Sequence, residues 1–335
     1  MSGSARHDVL VLGSANMDIT IHVDRLPAVG ETLIGGDAAL SPGGKGANQA
    51  VAAALSGARV AMAGRLGGDA HAASVRAALE DAGVDTAALQ ALPDRSTGSA
   101  VVLVTPDGDN AIVVAPGANH ALVPADVDAL QGRLGAAGLL LLQMEVPADV
   151  VVRAVAVAAA VGTPVVLNCA PAAPLPTEAL KGLAALVVNR SEAELLLGGP
   201  LEDRAAMRRG VQELLSAGPA AVVLTIGAEG SVVADAEGVV HVAAPRVEVV
   251  DTSGAGDAYV GVLAARLSQG RSLREAVGAA TLAGAAAVGR HGAQLRRGDG
   301  GDGNGGDGNG RYGDGGDGDA SQARDTNSDN RSGAQ

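Results

Sequence analysis

The chain has 335 residues and a formal net charge of −13, with no Phe, no Trp and only two Tyr. A nucleic-acid backbone requires a basic footprint, and a single strand requires aromatic faces to stack on, so this composition excludes both kinds of partner. A single cysteine, Cys169, excludes an internal disulfide and fits a reducing, cytoplasmic compartment, while apolar runs such as Ala154–Val161 are too short to cross a membrane.

In chain order, Asp8–Leu12 reads as a first strand, with no signal-peptide pattern expected before it. Asp18–Asp24 and Glu31–Leu40 read as two strands joined without a helix. Gly46–Leu55 predicts a helix, Arg59–Ala63 a strand and Ala70–Ala82 a helix. Ser99–Thr105 and Asn110–Ala115 flank the turn Pro106-Asp107-Gly108. Strands are then expected at Gly138–Gln143, Pro164–Asn168, Ala185–Asn189 and Ala221–Thr225, with helices at Ala148–Val161 and Arg204–Ala217. A hairpin, Gly230–Ala234 with Gly238–Ala243, precedes two helices that open at Gly254 and after Ser272. The βαβα rhythm and the continuous apolar strands predict an α/β fold: a doubly wound, mostly parallel sheet with helices on both faces. The four strands without crossover helices, over about 17–41 and 97–116, predict a small antiparallel β lid at the carboxyl ends of the sheet. The domain spans 1–296 and buries roughly three quarters of its unfolded surface. Residues 297–335 are a Gly/Asp-rich tail with eight Asp and three Arg after Gly298, expected to be disordered.

Three groups of residues carry chemistry. Asp251-Thr252-Ser253-Gly254-Ala255-Gly256-Asp257 stands between the β-branched run Val247–Val250 and a helical run. Small residues before a helix let main-chain N–H groups converge on an anion. A carboxylate beside that site, Asp257, suits a general base, and the pattern is met equally by an Asp that stabilises the helix start. Gly43-Gly44-Lys45-Gly46-Ala47-Asn48 also opens a helix, but it is not a P-loop, because no Ser or Thr follows the Lys. It suits close approach to a polyol, and a plain glycine turn fits as well. Asn16, Asp18, Glu145, Asn189 and Glu192 fall just past strand ends, where side chains of an open sheet point into one crevice.

Together, Gly43–Asn48 with Gln49-Ala50-Val51-Ala52-Ala53, and Asp251–Asp257, resemble the two signatures of ribokinase-like (PfkB) carbohydrate kinases. Shorter likenesses at Gly13–Asp18, Gly30–Thr32, Gly117–Asn119, Asn168–Ala172, Asn189–Glu194, Thr225–Gly230 and Gly292–Gln294 extend the resemblance from Asp8 to Gln294. It implies ATP-dependent phosphorylation of a small sugar, with the form of the first signature favouring the 5-hydroxyl of D-ribose. Deoxyribose, a nucleoside, a fructose derivative or a ketodeoxy sugar acid is the alternative substrate, and a catalytically dead sugar-binding protein is the alternative class. The resemblance assigns Asn16, Asp18, Gly43, Gly44, Asn48, Glu145 and Asp257 to the sugar, and Asp257 also to catalysis as the base. The amides of Gly254, Ala255 and Gly256 form the anion hole. Asn189, Thr225, Gly227, Gly230, Gly256 and Thr281 are assigned to the nucleotide. Glu192 positions Mg²⁺ through water, and Asp251, Ser253, Val288 and Gly292 are assigned to an activating K⁺. The lid is expected to pair with that of a second subunit in a homodimer.

The chain departs from the family pattern in places. Tyr259 stands for a usual Phe, and Thr281 for an adenine-lining Asn or His. Leu295-Arg296-Arg297 replaces Pro-Ser and a final helix, and a guanidinium at Arg296 supplies no oxygen to a cation. The Asp-Gly-Asn repeats of the tail lack the closing Glu of an EF-hand loop.

Overall fold

The computed structural model describes residues 7–107, 109–290 and 292–294; the expected disordered tail, Leu295 and Arg296 lie outside the described residues. The main sheet has the order β13-β12-β11-β10-β9-β8-β1-β4-β5, built from β1 (Val9–Leu12), β4 (Val60–Gly67), β5 (Asp85–Leu92), β8 (Leu139–Gln143), β9 (Val165–Asn168), β10 (Ala185–Asn189), β11 (Val222–Thr225), β12 (Ser231–Asp235) and β13 (Gly238–Val242). The helices are α1 (Lys45–Leu55), α2 (Ala70–Asp81), α3 (Pro124–Ala129), α4 (Gln131–Ala136), α5 (Ala148–Val161), α6 (Thr177–Lys181), α7 (Arg190–Leu197), α8 (Arg204–Ser216), α9 (Ala255–Ser268) and α10 (Leu273–Ala287). Strands β5 through β11 of this sheet pair in parallel, and β12 and β13 close one edge antiparallel.

Alternation along β1 builds two cores. Leu10 and Leu12 belong to the core on one face of the sheet, which also holds Val151 and Val155 of α5 and Val211 of α8; Val9 and Val11 belong to the core on the other face, with Val51 of α1 and Val260 and Leu263 of α9. Without Phe or Trp the packing is aliphatic, and each fully buried Leu or Val contributes about 1.5–3 kcal/mol of transfer free energy. Four helices that face away from the site or border it have side-chain caps, from Asp69, Asn189, Asp203 and Ser272. Helices α1 and α9 open instead on Gly44 and Gly254, at φ 89° and 72°, with no side-chain cap. At α1 the Lys45 and Gly46 N–H groups donate to Glu145 Oε2 and the Ser14 hydroxyl, and the Ala47 N–H to the Ser14 carbonyl; at α9 the Ala255 N–H makes one long bond, 3.4 Å, to the Thr252 carbonyl.

The lid is a separate sheet of order β3-β2-β6-β7, formed by β2 (Asn16–His22), β3 (Ala39–Gly43), β6 (Gly98–Val104) and β7 (Asn110–Ala115). Its outer pairs are antiparallel and its central pair, β2 with β6, runs parallel. One local expectation changes. The strand expected at Glu31–Leu40 joins the β2 ladder only from Ala39; before it the stretch is mostly exposed, with the Gly36 N–H donating to the His22 carbonyl at 2.8 Å. The β-branched run Val247–Val250 is an exposed connection. Strand β5 carries no β-branched run, being a half-buried edge strand of Ala, Leu and polar residues. Among the described residues no helix is long and apolar enough to cross a membrane.

Candidate active site

Because β1 and β8 to β11 run in parallel, their carboxyl ends open on one side, and the lid strand β2 leaves directly from that side of β1. Helices α1 and α9 start at the same crevice. They pack closely through Gly261, where a Cβ would come within 2.4 Å of the Gln49 carbonyl oxygen. That approach joins the two signatures. Asp257, in the first turn of α9 and 8% exposed, accepts hydrogen bonds from Asn48 Nδ2 at 3.1 Å and Gln49 Nε2 at 2.9 Å.

The polyol side is built around unsatisfied acceptors. Asp18 lies against the backbone of Gly43, where a Cβ would sit 2.0 Å from its Oδ2. Its Oδ1 is buried without a partner, as is Asn48 Oδ1. Burial, then repulsion from Glu145 and Asp257, pushes the Asp18 carboxyl up to about 6. A buried carboxylate without donors is unfavourable, and neighbouring sugar hydroxyls are the donors such a site lacks. Asn16 is held through its Oδ1, which accepts from Asn119 Nδ2 at 2.7 Å; Asn119 Oδ1 in turn accepts from the Ala15 N–H at 3.0 Å. Glu145 Oε2 accepts from the Ser14 hydroxyl at 2.6 Å and the Lys45 N–H at 3.1 Å. The Lys45 ammonium is held above its usual range, first by Asp257 and then, against burial, by Glu145, Glu192 and Asp18. One cation thus balances four carboxylates.

The expected anion hole begins at Gly254. A side chain there is barred by the Ala293 carbonyl, 1.9 Å from a Cβ, as well as by the positive φ. The space beside Gly256 is open, with nothing within 4 Å of a Cβ. The start of α9 places the amides of Ala255 and Gly256 beside Asp257, the Ala255 N–H also reaching the Thr252 carbonyl at 3.4 Å, with the positive end of a 14-residue helix behind them.

On the far side, Asn189 and Glu192 form a reciprocal capping box on α7. Asn189 Oδ1 accepts from the Glu192 N–H at 2.9 Å, and Glu192 Oε2 accepts from the Asn189 N–H at 2.8 Å. The N-cap of α7 is Asn189. Burial raises the Glu192 carboxyl. Among the described residues no group of three or more His, Cys, Asp or Glu can cage a metal, so these residues fit only a hydrated Mg²⁺ held through water and phosphates. Gly227 and Gly230 flank a short turn after Thr225, at φ 60° and 95°, and a Cβ at Gly230 would lie 2.0 Å from the Val242 carbonyl oxygen.

Thr281 is 5% exposed and its hydroxyl donates to the Val277 carbonyl at 2.8 Å, within α10, which leaves its oxygen only as an acceptor. The expected K⁺ residues converge. Asp251 accepts from the Ser253 N–H at 2.8 Å and the Gly292 N–H at 2.9 Å, and the Val288 carbonyl accepts from the Val250 and Asp251 N–H groups at 2.8 and 3.1 Å. Val288 thus directs its carbonyl to amides, and Gly292 contributes its N–H rather than an oxygen.

Sequence reasoning missed Ser14, Gln49, Asn119, Gln143 and Asn168, and gave Lys45 no role. The available signal was a Gln inside an Ala-rich helix and a Gln closing an all-Leu strand. Both are polar residues in otherwise core patterns.

A doubly wound sheet with a lid over a hydroxyl-accepting pocket, beside an uncapped helix start, defines a small-molecule kinase acting on an alcohol. The chain belongs to the pfkB family of carbohydrate kinases, whose pattern it matches over residues 6–297. It is 34% identical over 288 residues to a ribokinase of Staphylococcus aureus (strain COL), covering 85% of this chain and 95% of the relative. It is also 34% identical over 288 residues to a deoxyribokinase of Salmonella typhi, covering 86% and 94%. Among solved structures, Arabidopsis thaliana ribokinase complexed with ribose and ATP matches with a TM-score of 0.81 and 32% identity, covering 86% of this chain and 94% of that one.

Proposed function

We propose that this chain transfers the γ-phosphoryl group of ATP to the 5-hydroxyl of D-ribose, with Asp257 as general base. The observation that carries the proposal is the meeting of Asp257, Asn48 and the uncapped start of α9 at one point of the crevice. Asp18, Asn48, Asn16 and Glu145, over the backbone of Gly43 and Gly44, hold and orient the sugar hydroxyls. Asp257 takes the proton of the attacking hydroxyl. The alcohol oxygen bonds to the γ-phosphorus as its bond to the bridging oxygen breaks, and that electron pair leaves with ADP. The amides of Gly254, Ala255 and Gly256 receive the charge on the transferring group, and each such donor is worth about 3 kcal/mol of barrier. Phosphoryl transfer needs positioning and charge stabilisation more than covalent chemistry, which this inventory supplies.

Thr225, Gly227, Gly230 and Asn189 line the nucleotide side, and Glu192 with Asn189 would hold hydrated Mg²⁺, which supplies charge neutralisation to the phosphates. The convergence of Asp251, Ser253, Val288 and Gly292 supports a K⁺ site beside the anion hole, although the engaged Val288 carbonyl leaves its oxygen set incomplete. Exposed Leu40, Val101, Ile112, Val113 and Val114 on the lid support a homodimer through that sheet, and the single buried Cys169 supports a cytoplasmic setting.

Deoxyribose is the second reading, favoured by equal identity to the deoxyribokinase relative. ADP release with ribose, 2-deoxyribose, hexoses and nucleosides, with and without K⁺, separates them: the highest kcat/KM should fall on ribose. A best substrate outside the pentoses, or silence across the panel from folded protein, overturns the proposal.

A further inference from the structure

Asn48 and Gln49 both donate to Asp257, but they differ in what else they can do. Asn48 retains a buried, unpartnered Oδ1, so it remains available to a substrate hydroxyl. Gln49 is fully buried at 0% exposure and has no polar atom left over. Its nitrogen donates to Asp257 Oδ1 and to Asn168 Oδ1, both at 2.9 Å, and its oxygen accepts from Gln143 Nε2 at 2.7 Å.

The orientation of this chain of amides is set by the main chain. The Val187 carbonyl can only accept, so Asn168 turns its nitrogen toward it, at 3.3 Å, and its oxygen toward Gln49. That oxygen requires the nitrogen of Gln49, and the same nitrogen reaches Asp257. From the opposite side Gln143 supplies an N–H to the Gln49 oxygen. A flipped Gln49 would set its oxygen against Asn168 Oδ1 and the Asp257 carboxylate, and its NH₂ against that of Gln143. Only one orientation gives Gln49 a matched partner on all three sides, while Gln143 keeps a buried Oε1 without one.

We propose that Gln49 is a positioning residue for the general base: with Gln143 and Asn168 it forms a buried amide relay that fixes the Asp257 carboxylate and holds it ready to accept a proton. This inference rests on the assignment of Asp257 as the base. Gln49 acts through Asp257 alone, since it cannot reach the crevice. A donor aimed at a carboxylate favours its charged form and fixes its rotamer, so loss of the Gln49 N–H leaves the base less well held. The other charged groups facing Asp257 are Lys45 from α1, Asp18 from β2 and Glu192 from α7, with Glu145 beyond them. None of these changes in the variants below, so a difference between enzymes reports the Gln49 contact.

The test compares pH profiles of kcat and kcat/KM for ribose in wild type, Gln49→Glu, Gln49→Met and Asp257→Asn. In Gln49→Met, kcat near pH 7 should fall roughly 10–100-fold, with ribose KM within about 3-fold and the acid limb moved up by about one pH unit. Gln49→Glu keeps the shape and sets a second carboxyl against Asp257, so its acid limb should move up by about two pH units. A purely packing role would lower the melting temperature and leave the acid limb in place. If Gln49→Met does not fold, the near-isosteric Gln49→Glu decides. An acid limb coincident with wild type in folded Gln49→Glu, or a changed ribose KM with kcat retained, overturns the relay. Inactive Asp257→Asn beside unshifted Gln49 variants removes the relay only; active Asp257→Asn removes the base assignment itself.

Discussion

Asp18 makes a sharp test, because its chemistry pulls stability and binding in opposite directions. In the folded chain its carboxyl sits at about 6, against an ordinary 3.8, with burial the largest cause and repulsion from Glu145 and Asp257 next. A carboxyl raised by folding contributes stability that is fully present below the unfolded value and lost as pH rises through the folded one. At pH 7–8 the ionised Asp18 therefore destabilises the unliganded enzyme. A displacement from 3.8 to about 6 corresponds to about 3 kcal/mol at 1.36 kcal/mol per pH unit. Screening in the open crevice trims this to ~1–3 kcal/mol. Asp18→Asn removes the charge while keeping the shape. Thermal melts without ligand should show a gain of roughly 2–6 °C at pH 8 that vanishes below pH 4. The same variant should lose ribose affinity by about tenfold or more, because the hydroxyls lose a charged acceptor, and ribose should no longer raise its melting temperature. A gain independent of pH, or no gain at pH 8, refutes the linkage argument. Full ribose affinity refutes the placement of Asp18 in the sugar pocket.

Other substitutions probe the rest of the crevice. Gly254→Ala meets the Ala293 carbonyl and a φ of 72°, so denaturant unfolding should show a loss above ~1 kcal/mol and steady-state assays a fall in kcat of about tenfold or more. Lys45→Met leaves Asp257, Glu145, Glu192 and Asp18 without their shared counter-charge; ATP titrations should show kcat reduced by about 10²-fold or more, and unaltered kinetics would remove Lys45 from the mechanism. Charging the lid face with Ile112→Lys and Val114→Lys should convert a dimer to a monomer in sedimentation, and an unchanged sedimentation coefficient would place the interface elsewhere.

The main sheet was readable because a strand buried on both faces must be apolar throughout, as Leu139–Leu142 and Val222–Leu224 are. The two glycine signatures were readable because each sets small residues directly before a helical run. Edges were not: β5 is half covered and its Ala, Thr and Gln residues satisfy either period. The lid register was also hidden, since β2 finds its parallel partner β6 only after the chain has passed through β4, α2 and β5. The assembly behind Asp257 was the least legible part. Gln49, Gln143 and Asn168 lie on three separate elements, and each alone reads as a polar interruption of a core run. Their meaning depends on strands β8 and β9 ending beside the first turn of α1, which topology decides. The hydrogen bond of Thr281 was hidden for a related reason: a helical Thr can donate its hydroxyl to its own preceding turn, and here it does.

The central claim is that Asp257 removes the proton of the attacking hydroxyl beside the open start of α9. Rapid-quench measurement of sugar phosphate formed from ribose and ATP by Asp257→Asn, paired with ribose binding by calorimetry, tests it most directly. The expected result is a transfer rate reduced by at least ~10²–10⁴-fold with ribose affinity within a few-fold of wild type. Transfer at the wild-type rate by the folded variant would contradict the account.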